Sequence, residues 1–288
     1  MMSMDEVSVF ERLSRIYYEL SASEKKIGDY VLSHQSKAQT MSISDLAEAS
    51  DVSEATVTRF CRKLGCKGYN DFRIAAAKNS ASREKHTNPL SGAVMNDDPF
   101  SEVCRKLYDA DVSAMTQTLE LVKPEQYILA ADILEKANKV VCMGQGGSMI
   151  LAEECAHLFS TTSGKYSAVS DSHYQIVTAA TMEENDVLLF FSYSGATKDM
   201  MDTLRLAKKR NGKVILVTHF PNSPGAMYAD VILQCGADES PLQSGSVGAR
   251  IAQLYLMDIL FSEVCRRNLD ACRERRSVIA DALAGKHL

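Results

Sequence analysis

The chain has 288 residues, of which 45% are hydrophobic and 24% charged, and its formal net charge is −5. That length admits two domains with cores of their own, and the composition is that of a globular protein, not a disordered or fibrous one. The acidic balance argues against a chain that coats nucleic acid along its whole length, but it leaves room for one small basic reading module.

The opening stretch, MMSMDEVSVFERLSR, has no apolar core of signal-peptide length, and no later run approaches a membrane span. The expectation is a cytoplasmic protein with no membrane partner. Eight cysteines (61, 66, 104, 142, 155, 235, 265, 272) form no C-x-x-C pair and mostly have apolar neighbours. Reduced, buried thiols are expected, with neither a disulfide framework nor a metal site.

Residues 1–77 read as a helical domain. Within it ISDLAEASDVSEATVTRFCR, Ile43 to Arg62, has the spacing of a helix-turn-helix. Leu46 and Ala47 fall on the inner face of the first helix. Asp51 sits where the turn needs a residue tolerant of left-handed backbone. Val52 plugs the turn, and Val57 and Phe60 face the core from the second helix. Ser42 with Asp45 makes a capping box, and Ser53 can cap the second helix. The outward face of that helix is then expected to show Glu54, Thr56, Thr58, Arg59 and Lys63. Residues 59–85 carry eight basic side chains against two acidic ones, a local excess opposite in sign to the whole chain. Phosphate-backbone contact requires such an asymmetry. Thr56 and Arg59 are therefore expected near base edges, and Ser53, Lys63 and Lys67 near phosphates.

Residues 78–102, rich in Ser, Asn, Pro and charge, read as a linker. Helices are expected around 101–121 and 124–137. From Lys139 short apolar runs (KVVCM, KYSAV, DVLLFF, KVILVTH, DVILQC) alternate with helical stretches, which implies parallel βαβ units. A long helix at about 246–266 and a tail helix from about 270 follow. The second domain is thus 103–288, with its α/β core at about 124–266.

Two turns in this core suit an anion. KVVCM runs into GQGGSM, Gly144 to Met149, where glycines let backbone amides approach a ligand at a helix start. A dinucleotide fingerprint would need glycine at position 149, where Met stands, so no nicotinamide or flavin cofactor is expected. DVLLFF runs into SYSGATKD, where Ser192, Ser194 and Thr197 supply three hydroxyls around Gly195. Either turn alone is also an ordinary strand-to-helix connection. Two of them at neighbouring strand ends are where open α/β sheets bind ligands.

GQGGS followed by SYSGATKD resembles the sugar isomerase (SIS) domain, an α/β sandwich with a five-stranded parallel sheet that binds phosphosugars. The helix-turn-helix, continuing as FCRKLGCKGYNDFR, and the late GARIAQLYLMDILF resemble the RpiR family of bacterial transcription regulators. The resemblance covers nearly the whole chain. It implies a phosphosugar site formed by Gly146, Gly147, Ser148, Ser192, Ser194, Gly195 and Thr197, with Glu239 from a third loop. Family members usually carry serine where Ala249 stands here. The partners it implies are operator DNA, palindromic because a symmetric dimer reads it, a phosphosugar effector, and further copies of the chain as a homodimer or homotetramer.

An SIS isomerase would need an acid–base pair beside the sugar. Among His34, His86, His157, His173, His219 and His287, only His173 and His219 fall near strand ends. Glu239 and Glu153 could act as bases, but their spacing does not demand it. A DNA-reading domain joined to a phosphosugar domain is expected to sense its ligand without catalysis, the alternative being an isomerase or lyase with an accessory helical domain.

Overall fold

The computed structural model describes residues 8–38, 41–78, 94–237 and 246–286. They fall into two compact units, one reaching to Asp109 and the other made of Ala110–Ala237 and the segment from Val247 onward. Among the described residues no helix is long and apolar enough to cross a membrane.

The first unit begins with six helices: α1 (Val9–Ile16), α2 (Ala22–Ser33), α3 (Gln35–Ala38), α4 (Ile43–Ala49), α5 (Glu54–Lys63) and α6 (Tyr69–Lys78). None is long enough to persist alone in water, so packing and caps must hold them. Val9, Leu13, Ile27, Val31, Leu46, Val57, Phe60 and Phe72 are sealed from solvent in a single cluster. Ser21 with Glu24 starts α2, and Ser42 with Asp45 starts α4, each as a complete capping box. Asp51 adopts φ +51° between α4 and α5, as the turn requires. Its carboxylate lies 2.6 Å from Lys26 Nζ on α2.

α7 (Phe100–Leu121) and α8 (Pro124–Lys136) precede the sheet. The strands β1 (Val140–Gly144), β2 (Tyr166–Ala168), β3 (Val187–Phe191), β4 (Lys213–Thr218) and β5 (Val231–Gln234) fall on the five apolar runs and pair in parallel in the order β2-β1-β3-β4-β5. Between them lie α9 (Gly147–Ser160), α10 (Ser172–Ala180) and α11 (Lys198–Lys209); α12 (Val247–Arg267) and α13 (Leu269–Ala284) close the chain.

The central strands β1 and β3 are buried at every position because both faces of a parallel sheet are covered. Their alternation separates two cores. Val140, Cys142, Val187, Leu189, Ile215 and Val217 face the cluster shared with α8, α9 and α12. Val141, Met143, Leu188, Phe190, Val214 and Leu216 face the cluster shared with α11. From β1 the chain first crosses to β2 and then returns to β3 on the other side. β1 and β3 are hydrogen-bonded neighbours, with Gly144 opposite Phe191. The crevice outside their carboxyl ends is the topological switch point, where such sheets take ligands.

Candidate ligand cradle and DNA-reading helix

Both sequence-predicted loops flank this switch point. At the first, Gly144 ends β1 so close to the following turn that a β-carbon would stand 2.5 Å from the Ser148 carbonyl oxygen. Gly146 caps α9 with φ +53° and brings no side chain to do it. The amides of Ser148 and Met149 turn back to the carbonyls of Gln145 and Gly146, at 3.1 and 3.0 Å. Ser148 is partly exposed beside them.

A buried glutamine braces this loop. Gln175 on α10 donates through Nε2 to the carbonyls of Gly144 (3.1 Å) and Val169 (2.8 Å), and its Oε1 accepts from Gln145 Nε2 at 2.7 Å. It thereby ties the ends of β1 and β2 together. The sequence reading missed both glutamines; the available signal was an amide side chain beside the apolar Ile176 and Val177 of α10.

At the second loop the three hydroxyls separate into different tasks. Ser192 is buried, and its Oγ accepts from the Gly195 amide at 3.2 Å, so it builds the turn. Ser194 is partly exposed and accepts from the Ala196 amide at 3.3 Å. Thr197 is the N-cap of α11, but its hydroxyl makes no cap bond. Gly195 has φ +58°, and a β-carbon there would lie 2.0 Å from Ser223 Oγ. Its carbonyl accepts from the Gly225 amide at 2.8 Å, fixing the loop from behind.

The starts of α9 and α11 contrast with most other helix starts among the described residues. α1, α2, α4, α5, α10 and α13 each begin on a Ser, Asp or Asn whose side chain accepts a first-turn amide, and α8 begins with proline. α9 and α11 begin with no side-chain cap. Their amino ends, with the partial positive charge of the helix dipole, converge at one switch point with no capping side chain on either. That arrangement fits an anion.

Of the remaining candidates, Glu239 lies outside the described residues. His173 is exposed on α10, and Glu153 is exposed on α9. His219 stacks on Tyr193 with centroids 5.0 Å apart, and its Nδ1 donates to the Cys235 carbonyl at 2.9 Å. A cavity of about 250 Å³ lies at the opposite, amino ends of β1 and β2. Lys165 in its lining is engaged with the Leu134, Glu135 and Ala137 carbonyls that end α8.

On the reading helix α5, Ser53 is the N-cap and accepts from the Thr56 amide at 3.3 Å. Thr56 does not face outward as expected. It is only 9% exposed, because i+3 spacing folds its hydroxyl beneath Ser53, 2.9 Å from the Ser53 Oγ. The Thr56 hydroxyl then accepts from Arg59 Nη2 at 3.3 Å, holding the exposed guanidinium. Lys63 is exposed but turned back into its own unit: Nζ donates to the Glu19 carbonyl (2.9 Å) and lies 3.2 Å from the Glu24 carboxylate. Glu54 accepts from Ser44 Oγ at 2.5 Å. Ala55, Arg59, Arg62 and Lys67 remain exposed. Arg62 was not singled out from the sequence as a contact.

Comparison with known proteins agrees with this architecture. The helix-turn-helix domain of the rpiR family matches residues 7–83, and the SIS domain matches residues 133–263. An HTH-type transcriptional regulator of Caldanaerobacter subterraneus is 32% identical over 91% of this chain and 91% of its own length. The HTH-type transcriptional regulator RpiR of Escherichia coli is 29% identical over 87% of this chain and 84% of its own. Among solved structures, the NanR protein of Vibrio vulnificus complexed with ManNAc-6P superposes with a TM-score of 0.63 at 24% identity, covering 96% and 99% of the two chains. The chain belongs to the RpiR family of helix-turn-helix regulators with an SIS domain.

Proposed function

We propose that this RpiR-family member is a cytoplasmic DNA-binding regulator of sugar metabolism, controlled by a phosphosugar held between the β1–α9 and β3–α11 loops. One observation carries the ligand reading: the paired, uncapped amino ends of α9 and α11 at the switch point, lined by Ser148, Ser194 and Thr197. Amides, hydroxyls and dipoles of one sign hold a dianion without a metal. Ser192 and Gly195 shape the turn, while Ser194 and Thr197 contact the phosphate. NanR, complexed with a sugar phosphate, has the same fold and supports this assignment.

The protein senses this ligand and leaves it chemically unchanged. His173 is exposed on α10 and the His219 Nδ1 is committed to a backbone carbonyl, which supports sensing over acid–base catalysis. On the DNA side, Arg59 reads base edges from a geometry set by Thr56, with Arg62, Lys67 and Ser53 toward phosphates. Two copies of the chain present two reading helices to the half-sites of a palindromic operator, and effector occupancy biases their spacing.

The test is calorimetry of the full chain against a phosphosugar panel, repeated with Ser194→Ala, alongside gel shifts on DNA selected from a random pool. Binding of one panel member, weakened about tenfold or more by Ser194→Ala and altering the gel shift, is expected. The reading fails if no phosphosugar binds at millimolar concentration, or if the bound sugar is turned over.

A further inference from the structure

Arg250 lies in the first turn of α12, and that turn holds no acidic residue. Its guanidinium is laid over Gly147, with Nη2, Cζ and Nε at 3.1, 3.6 and 3.7 Å from the point where a β-carbon on that glycine would stand. Nε is sealed from solvent without a hydrogen-bond partner. The second unit's other engaged arginines show the contrast: Arg267 pairs with Asp132 and Glu263, and Arg210 Nε donates to the Met182 carbonyl.

A guanidinium does not lose its proton in a protein, so its charge cannot be shed to relieve burial. It also stands at the amino end of its own helix and against that of α9, where a cation is disfavoured. Three features of one sign therefore meet, with no acid paired to Arg250 among the described residues. The phosphate cradle at α11 belongs to the next strand. Neighbouring strands are about 4.8 Å apart, so one short carbon chain can reach both loops.

We propose that Arg250, with the amino end of α9, holds a second oxyanion of the effector, and that the effector is a phosphorylated sugar acid. Its phosphate lies at the Ser194–Thr197 turn and its carboxylate at Gly147 and Arg250. This rests on the phosphosugar reading above and specifies the ligand class. Gly147 is part of the device, since a β-carbon there would stand 3.1 Å from Arg250 Nη2 and crowd the guanidinium.

The experiment compares aldonic acid phosphates of four to six carbons with the matching alditol phosphates, which differ only in carboxylate against CH2OH. Calorimetry uses the full chain as wild type, Arg250→Gln, Arg250→Lys and Ser194→Ala, each checked for an unchanged circular dichroism spectrum. At least one acid is expected to bind wild type tenfold or more tightly than its alditol partner. Arg250→Gln should weaken that acid about 10- to 100-fold and leave the alditol unchanged, whereas Arg250→Lys recovers part of the loss and Ser194→Ala weakens both. Equal binding of acid and alditol, or equal weakening of both by Arg250→Gln, overturns the assignment of Arg250 while the phosphosugar site stands. Failure of every phosphosugar to bind wild type removes the site itself.

Discussion

Gly195→Ala tests how the second loop is held. The residue has φ +58°, and an added β-carbon would lie 2.0 Å from Ser223 Oγ, 2.6 Å from Ser223 Cβ and 3.0 Å from Thr218 Oγ1. Left-handed backbone costs a non-glycine residue about 1–2 kcal/mol. Overpacking a closed site adds about 1–3 kcal/mol. The lower entropy of alanine in the unfolded chain returns about 0.4–1 kcal/mol. The expected loss is therefore about 2–4 kcal/mol, or a fall in Tm of about 6–12 °C at the middle of that range. Urea titration and thermal scans of wild type, Gly195→Ala, Ser223→Gly and the double variant separate the two contributions. In the Ser223→Gly background the alanine should cost only the backbone part, about 1–2 kcal/mol, a coupling of the kind double-mutant cycles resolve. An equal cost in both backgrounds, or a Gly195→Ala protein within about 0.5 kcal/mol of wild type, would refute the steric argument.

Three other outcomes are expected. Arg59→Ala should weaken binding to selected DNA by about 1–3 kcal/mol, and Thr56→Val, which removes only the hydroxyl holding Arg59, by a fraction of that, measured by gel shift at fixed salt. Gln175→Met keeps volume but strands the Gly144 and Val169 carbonyls, so it should cost about 1–3 kcal/mol in urea and weaken effector binding through the loosened first loop. Burial pushes the Asp230 carboxyl up, but hydrogen bonds from Lys208 Nζ and the Val214 amide outweigh it and hold its pKa below the usual value. A depressed folded-state pKa contributes stability above the unfolded value of about 3.9, lost as pH falls through the folded one. Asp230→Asn should therefore cost about 1–2 kcal/mol at neutral pH and converge with wild type in acid.

Local physics made much of this legible in the sequence. Capping serines at 42 and 53, the left-handed Asp51 and five apolar runs each declare themselves within a few residues. What stayed hidden depends on partners far along the chain. Lys63 reads as an outward cation until Glu24, 39 residues away, turns it inward. Gln175 acquires its role from Gly144 and Gln145, 31 and 30 residues back. Arg250 carries no local sign of its place, because its neighbour, Gly147, comes from another strand end. Thr56 misled for a different reason: helical spacing from Val57 and Phe60 gives its direction only coarsely, and the Ser53 hydroxyl drew it under.

The bare starts of α9 and α11 also bear on protein turnover. A side-chain cap contributes about 1 kcal/mol to a helix, and the two helices beside the cradle go without it. A ligand present at a hundred times its Kd supplies about 2.7 kcal/mol to the folded state. On the proposed reading the sugar thus lowers the fraction of chains open to proteases, and differences of that size change cellular abundance several-fold. The metabolite would set how many copies of its regulator survive as well as what each copy does.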